Sequence, residues 1–201
     1  YDNNGTLKSK SKRFYYGIAG PNDPPLYIPG YLYEPWRYGR EFKTEIYDNS
    51  GTTLLRASTS TWNQSQPSWW TQSSEIAPIN KPVVSQTTTF LADSNQISAR
   101  SLVYDGFNNL TDTYEYDYGT GAPGSFLRRT HTDYLTTNSI NSVDYTADNI
   151  HIFNLPTQSW VSSDTSGNNK ISLSKYEYDN YTFDSTHAPL VDRFNISGHD
   201  S

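Results

Sequence analysis

Alternation of side-chain character with a period of two is the feature that most limits what this chain can fold into. In the run from Leu110 to Tyr118, Leu110, Asp112, Tyr114, Tyr116 and Tyr118 fall on one side of an extended backbone, and Thr111, Thr113, Glu115 and Asp117 on the other. Phe42, Thr44 and Ile46 alternate in the same way with Lys43, Glu45 and Tyr47, and Ser174, Tyr176 and Tyr178 with Lys175, Glu177 and Asp179. Between Thr87 and Tyr104 two extended runs flank Asp93-Ser94-Asn95-Gln96, a set of turn-forming residues. No segment carries a sustained helical period with caps at its ends. Ala and Leu are scarce and Ser, Thr and Asn abundant, which also argues against long helices. The pattern predicts an all-β chain of antiparallel hairpins.

Leu, Ile, Val and Phe make up only about 19% of the 201 residues, close to the range of disordered chains. The aromatic content points the other way, with 17 Tyr, 8 Phe and 5 Trp, because disordered chains are poor in rings. Rings and β-branched side chains suit a pleated, half-wet surface, so aromatic faces are expected to replace an aliphatic core. Two stretches break the alternation: residues 17–39, with five prolines among Tyr and Trp, and residues 62–82, with Trp69, Trp70 and three prolines. Proline denies a donor to the ladder, so both are expected to be long loops inserted between hairpins. Gly119 to Gly124 reads as a glycine-rich turn.

The chain also repeats itself. Tyr1-Asp2-Asn3-Asn4-Gly5-Thr6-Leu7 aligns without gaps on Tyr104-Asp105-Gly106-Phe107-Asn108-Asn109-Leu110. Gly5 then lies opposite Asn108, the two residue types that most readily take the left-handed conformation, so the slot is expected to need a positive φ. Tyr47-Asp48-Asn49-Ser50-Gly51 begins a third copy, and Asp164-Thr165-Ser166-Gly167 a fourth in which Ser163 replaces the tyrosine. A second signature, Tyr-Glu-Tyr-Asp, runs from Tyr114 to Asp117, including Tyr116, and again from Tyr176 to Asp179, including Tyr178. In each copy the tyrosine closes a strand, the aspartate folds its carboxylate onto amides just ahead, and Gly or Asn completes the reversal. One hairpin cannot bury its own face, so several are expected to stack laterally with their aspartates at the tips.

Tyr-Asp-x-x-Gly-x-Leu followed by Tyr-x-Tyr-Asp resembles the YD repeat of Rhs-type bacterial proteins, found also in Tc toxin components and teneurins. Gly39 to Thr44, His131 to Thr137, Leu155 to Gln158 and Asn195 to Gly198 extend the likeness over most of the chain. The resemblance implies that residues 1–201 are one segment of a longer repeat array in a secreted or cell-surface protein. It implies a curved, spiralling sheet that forms part of a hollow shell around a C-terminal toxin or effector, whose partners are neighbouring repeats and the enclosed domain. The copies depart from the family in spacing: Asp2, Asp48, Asp105 and Asp164 lie 46, 57 and 59 residues apart, where family repeats are about 20 long. The family's self-cleaving core segment is missing, since Asp23-Pro24-Pro25 lacks its context, and the chain, which opens at Tyr1-Asp2 with no methionine, reads as a piece of a longer polypeptide.

Chemistry-bearing residues are sparse. The absence of cysteine excludes disulfides, thiolate metal sites and cysteine nucleophiles. A net charge of -6 leaves no basic footprint for nucleic acid, and no apolar run is long enough for a membrane helix. Asp105, Asp117, Asp164 and Asp179 are candidates for an acid–base pair of a glycosidase, but their turn positions already account for them. His131, with Asp133 nearby, His151, His187 and His199 show no ligand spacing and read as solvated surface residues. Ser125 follows Gly124, but Leu127 stands where a nucleophile elbow needs glycine. Lys8, Lys10, Lys12 and Arg13 form a short basic face, suited to a strand edge that discourages sheet-to-sheet association. Trp36, Trp62, Trp69 and Trp70 read first as packing residues of their loops, and Trp69 and Trp70, flanked by polar residues, are the candidate contacts for an enclosed cargo or a sugar ring. Neither a catalytic residue nor a cofactor is expected. The alternative to a shell segment is a free-standing β-rich carbohydrate-binding or adhesion module.

Overall fold

The computed structural model describes residues 8–17, 35–65, 79–138, 142–176 and 178. They form nine strands: β1 (Lys10–Tyr15), β2 (Glu41–Tyr47), β3 (Leu54–Asn63), β4 (Val83–Leu91), β5 (Gln96–Tyr104), β6 (Leu110–Thr120), β7 (Phe126–Tyr134), β8 (Pro156–Ser162) and β9 (Lys170–Lys175). A single 3-10 turn, Pro35–Arg37, precedes β2. The strands lie in one sheet in sequence order and every neighbouring pair is antiparallel. The fold is thus all-β, a meander of hairpins laid side by side with no crossover. Every pair except β4–β5 carries a register shift, and such bulges increase the local twist of a sheet.

The strand boundaries refine the sequence reading in two places. Trp62 lies inside β3, not in a loop, because its indole N–H donates to the Glu41 carbonyl across the hairpin at 2.9 Å. The alternating run from Ser174 to Asp179 supplies only the last two residues of β9. One further ladder bond, from the Tyr176 N–H to the Thr157 carbonyl at 2.8 Å, follows it. Most of 17–39, and residues 66–78 of the second irregular stretch, lie outside the described residues.

Antiparallel order assigns each connection to one of two rims. The β2–β3, β4–β5, β6–β7 and β8–β9 turns share one rim, and all four are short. The β1–β2, β3–β4 and β7–β8 connections, which hold the irregular stretches, share the other rim with the tight β5–β6 turn. Asp48 and Asp164 therefore stand at tips on one rim and Asp105 at a tip on the opposite rim. They do not form one row: successive copies are three strands apart, and an odd number of strands reverses direction.

The sheet has little core. Among the described residues the buried apolar side chains are Trp36, Ala57, Ala99, Tyr145 and Trp160, while Leu55, Val103, Leu127, Ile171 and Leu173 are exposed. The substantial contacts between elements all join sequential strands, as expected of a single layer. What burial exists is one-sided. Cross-strand pairing puts Glu45, Ala57, Ala99, Asp112, Trp160 and Ser162 on a common face, all buried, whereas of the buried strand residues only Thr113 belongs to the other face. That second face is mostly hydroxyl and guanidinium, with Thr44, Ser58, Thr89, Ser98, Thr130 and Ser172, and with Glu115 held between Arg100 and Arg128.

Candidate functional site

The turns are built by their aspartates. The Asp48 carboxylate accepts from the Ser50 N–H at 3.1 Å and hydroxyl at 2.6 Å, and from the Thr53 N–H at 3.3 Å, while Gly51 takes a φ of 72°. Asp105 accepts from the Phe107 and Asn109 N–H groups at 2.8 and 2.9 Å, and Asn108 takes the left-handed φ of 68°. Asp164 is the most heavily bonded. The N–H groups of Gly167, Asn168 and Asn169 and the Ser166 hydroxyl all donate to it, and Gly167 has a φ of 82°. These bonds, the one from Ser166 foremost, hold the Asp164 carboxyl down at about 2 against a usual 3.8. A carboxyl depressed on folding adds stability that is complete above its unfolded pKa and is lost as pH falls through the folded one. Acid titration is therefore expected to loosen the β8–β9 turn as pH falls from about 4 to about 2. Asp164→Asn should abolish that part of the slope, measured by hydrogen exchange at the amide of Asn169.

The tyrosines before these turns line the sheet. Tyr47 donates its hydroxyl to Glu45 at 2.6 Å beneath the Lys12 ammonium, 4.5 Å from its ring centre. Burial pushes the Tyr104 hydroxyl up. Tyr116 packs edge-on to Phe126 at 5.8 Å. Asp117 stands within β6 at the base of the β6–β7 loop, closed by Asp117 N–H to Ser125 carbonyl and Gly124 N–H to Asp117 carbonyl bonds. Tyr178 follows β9, its carbonyl accepting from the Asn138 amide at 2.9 Å. Tyr1, Asp2, Gly5, Trp69, Trp70 and Asp179 lie outside the described residues.

The densest side-chain cluster is one the turn reading passes over. On the buried face, β6 presents Asp112, β7 presents Arg129, His131 and Asp133, and β8 presents Gln158 and Trp160, in register through the pairs Asp112↔His131↔Trp160 and Asp133↔Gln158. His131 lies between two carboxylates, Nδ1 2.7 Å from Asp112 and Nε2 2.9 Å from Asp133. A neutral imidazole can donate to one of them, a protonated one to both. Asp112 also accepts from Arg129 Nε at 2.7 Å, and Asp133 from the Gln158 amide. The imidazole stacks on Trp160 at 4.7 Å, and Arg129 and Lys170 each lie 5.0 Å from the same indole. Burial works to raise the Asp133 carboxyl, but hydrogen bonds from Gln158 and His131 and the charges of His131 and Lys170 outweigh it and hold it below its usual value.

This arrangement is closed upon itself. A nucleophilic triad needs one imidazole nitrogen facing an acid and the other facing a hydroxyl or thiol, and here both face acids. Ser162, on the same face beside Arg129, gives its hydroxyl to the Asn169 carbonyl at 3.0 Å. The cluster does not gather the aspartates of the sequence reading: Asp105 and Asp164 are on opposite rims. No group of three or more His, Cys, Asp and Glu residues suited to a metal ion is present among the described residues. No helix among them is long and apolar enough to cross a membrane. The chain matches no protein-family model, no curated protein and no solved structure.

Proposed function

We propose that this chain is a non-catalytic wall segment of an Rhs/YD-repeat protein at the cell surface or outside the cell, one stretch of a sheet that shelters a toxin or effector domain. The observation that carries this reading is the single-layer meander itself. Nine strands follow one another without a crossover, bury little, and end in two strands, β1 and β9, that each have one neighbour among the described residues. Such a sheet gains stability by continuing sideways, as repeat arrays do. The aspartate turns recurring every third strand, two of them Tyr-Asp and the third Ser163-Asp164, fit a degenerate repeat, and the inward-locked His131 cluster fits a structural role better than a catalytic one.

Sedimentation and thermal unfolding of the isolated chain test the reading. Open edges should make it associate or unfold over a broad range. A monomer with one sharp, reversible transition would overturn the wall assignment. The sugar-binding alternative draws nothing from the described indoles: Trp36 and Trp160 are buried, and Trp62 lies 4.8 Å beneath the Arg40 guanidinium.

A further inference from the structure

Among the described residues, each edge strand has one neighbour. On β1, Lys12 is engaged with Tyr47, and Arg13 lies 3.8 Å from Glu41. On β9 all six side chains are exposed, Ile171 at 68% and Leu173 at 49%. Lys170 lies over the Trp160 ring at 5.0 Å, and neither it nor Lys175 is in an ion pair among the described residues. The Tyr176 N–H bonds to Thr157 on β8, so by antiparallel alternation the N–H groups of Leu173 and Lys175 point outward, away from β8. Leu173 and Lys175 also share a face, through the Trp160↔Leu173 and Gln158↔Lys175 pairs, and Ile171 stands at the register shift between the Val161↔Ser172 and Ser162↔Lys170 pairs.

We propose that the β9 edge is a docking site for an acidic, aromatic strand of a further repeat hairpin, of the form Asp-x-Tyr-x-Tyr. Run antiparallel, such a strand places its carboxylate opposite Lys175 and its first ring opposite Leu173, with the second ring next to the exposed Ile171, while the outward amides of Leu173 and Lys175 add ladder bonds. This chain contains the pattern in Asp112-Thr113-Tyr114-Glu115-Tyr116, which already serves as an interior strand. A second copy of the chain is a poorer occupant. Its β1 would bring Lys10, Lys12 and Arg13 against Lys170 and Lys175, and its β9 would bring two more lysines and no carboxylate. The proposal rests on the wall reading for the source of the strand and adds the chemistry of that neighbour.

The probe is a fluorescent, end-capped peptide with the sequence of residues 110–118, titrated into the full chain by anisotropy. Its control has Asn or Gln in place of its three carboxylates. The acidic peptide should bind the more tightly, with salt weakening it. The double variant Lys170→Glu, Lys175→Glu should lose about tenfold in affinity for it, the pair at Lys175 having been reversed and a second negative charge set on the edge. Leu173→Pro, which removes an outward donor, should also weaken it. Equal binding of both peptides would overturn the charge selectivity while leaving the wall reading intact. Binding of neither, with the chain a sharply melting monomer, would overturn both. Dimers that strengthen when Lys170 and Lys175 become Glu would assign the edge to a second copy instead.

Discussion

Asp112→Ala is expected to destabilise the β6–β7–β8 region by about 2–3 kcal/mol, because it strands the Arg129 guanidinium and an imidazole nitrogen of His131 on the buried face. Asp112 is 8% exposed, and both Arg129 and His131 direct a nitrogen to its Oδ1 at 2.7 Å. Once the carboxylate is gone, each must find water from a position in which its side chain is only 17% exposed. Asp112→Asn keeps one acceptor and should cost about half as much. Glu115 supplies the comparison, since it sits three residues along the same strand, on the other face, flanked by Arg100 and Arg128. Those arginines are 57% exposed and recover water readily, so Glu115→Ala should cost less than about 1 kcal/mol. Native-state hydrogen exchange in β6 and β7 reads both. Equal losses of protection in the two variants would show that the buried cluster contributes no more than a surface ion pair.

The contrast between those two faces shows what the sequence carries and what it does not. The strands were legible: a period of two from Leu110 to Tyr118 fixes which residues share a side, and the Asp-Gly and Asp-Asn pairings mark the tips at Asp48, Asp105 and Asp164. The row Asp112–His131–Trp160 was not, because it depends on register. Register between β6 and β7 is set by how the Gly119–Ser125 loop closes and by the bulge between Glu115 and Tyr116, neither of which alternation encodes. One local signal was available. Arg129, His131 and Asp133 sit at i, i+2 and i+4 in one strand, so they share a face, and three ionisable groups on one strand face call for partners on the next. The placement of Asp105 on the opposite rim was likewise hidden, since it requires counting strands between copies, and Trp62 was misread because its neighbouring prolines masked the end of β3.

Gly167→Ala should cost about 2–5 kcal/mol, more than alanine costs at a positive-φ glycine with open space around it. The backbone part is shared: alanine at a φ of 82° gives up roughly 1–2 kcal/mol to the left-handed conformation. The rest is packing. A Cβ on Gly167 would meet Trp160 Cη2 at 2.5 Å and Cζ3 at 3.1 Å. The indole has no room to retreat, being 7% exposed and stacked on His131, with Arg129 and Lys170 both at 5.0 Å. Overpacking of this kind adds about 1–3 kcal/mol. Gly121 isolates the two parts, because its φ of 75° is nearly the same and a Cβ there meets nothing within 4 Å. Gly121→Ala should therefore show the backbone cost alone. Trimming the ring in Gly167→Ala, Trp160→Leu should recover part of the difference, giving a non-additive double-mutant cycle. If Gly167→Ala proves no worse than Gly121→Ala, the β8–β9 turn does not hold Trp160 in place, and the seating of the His131 cluster must come from the strands alone.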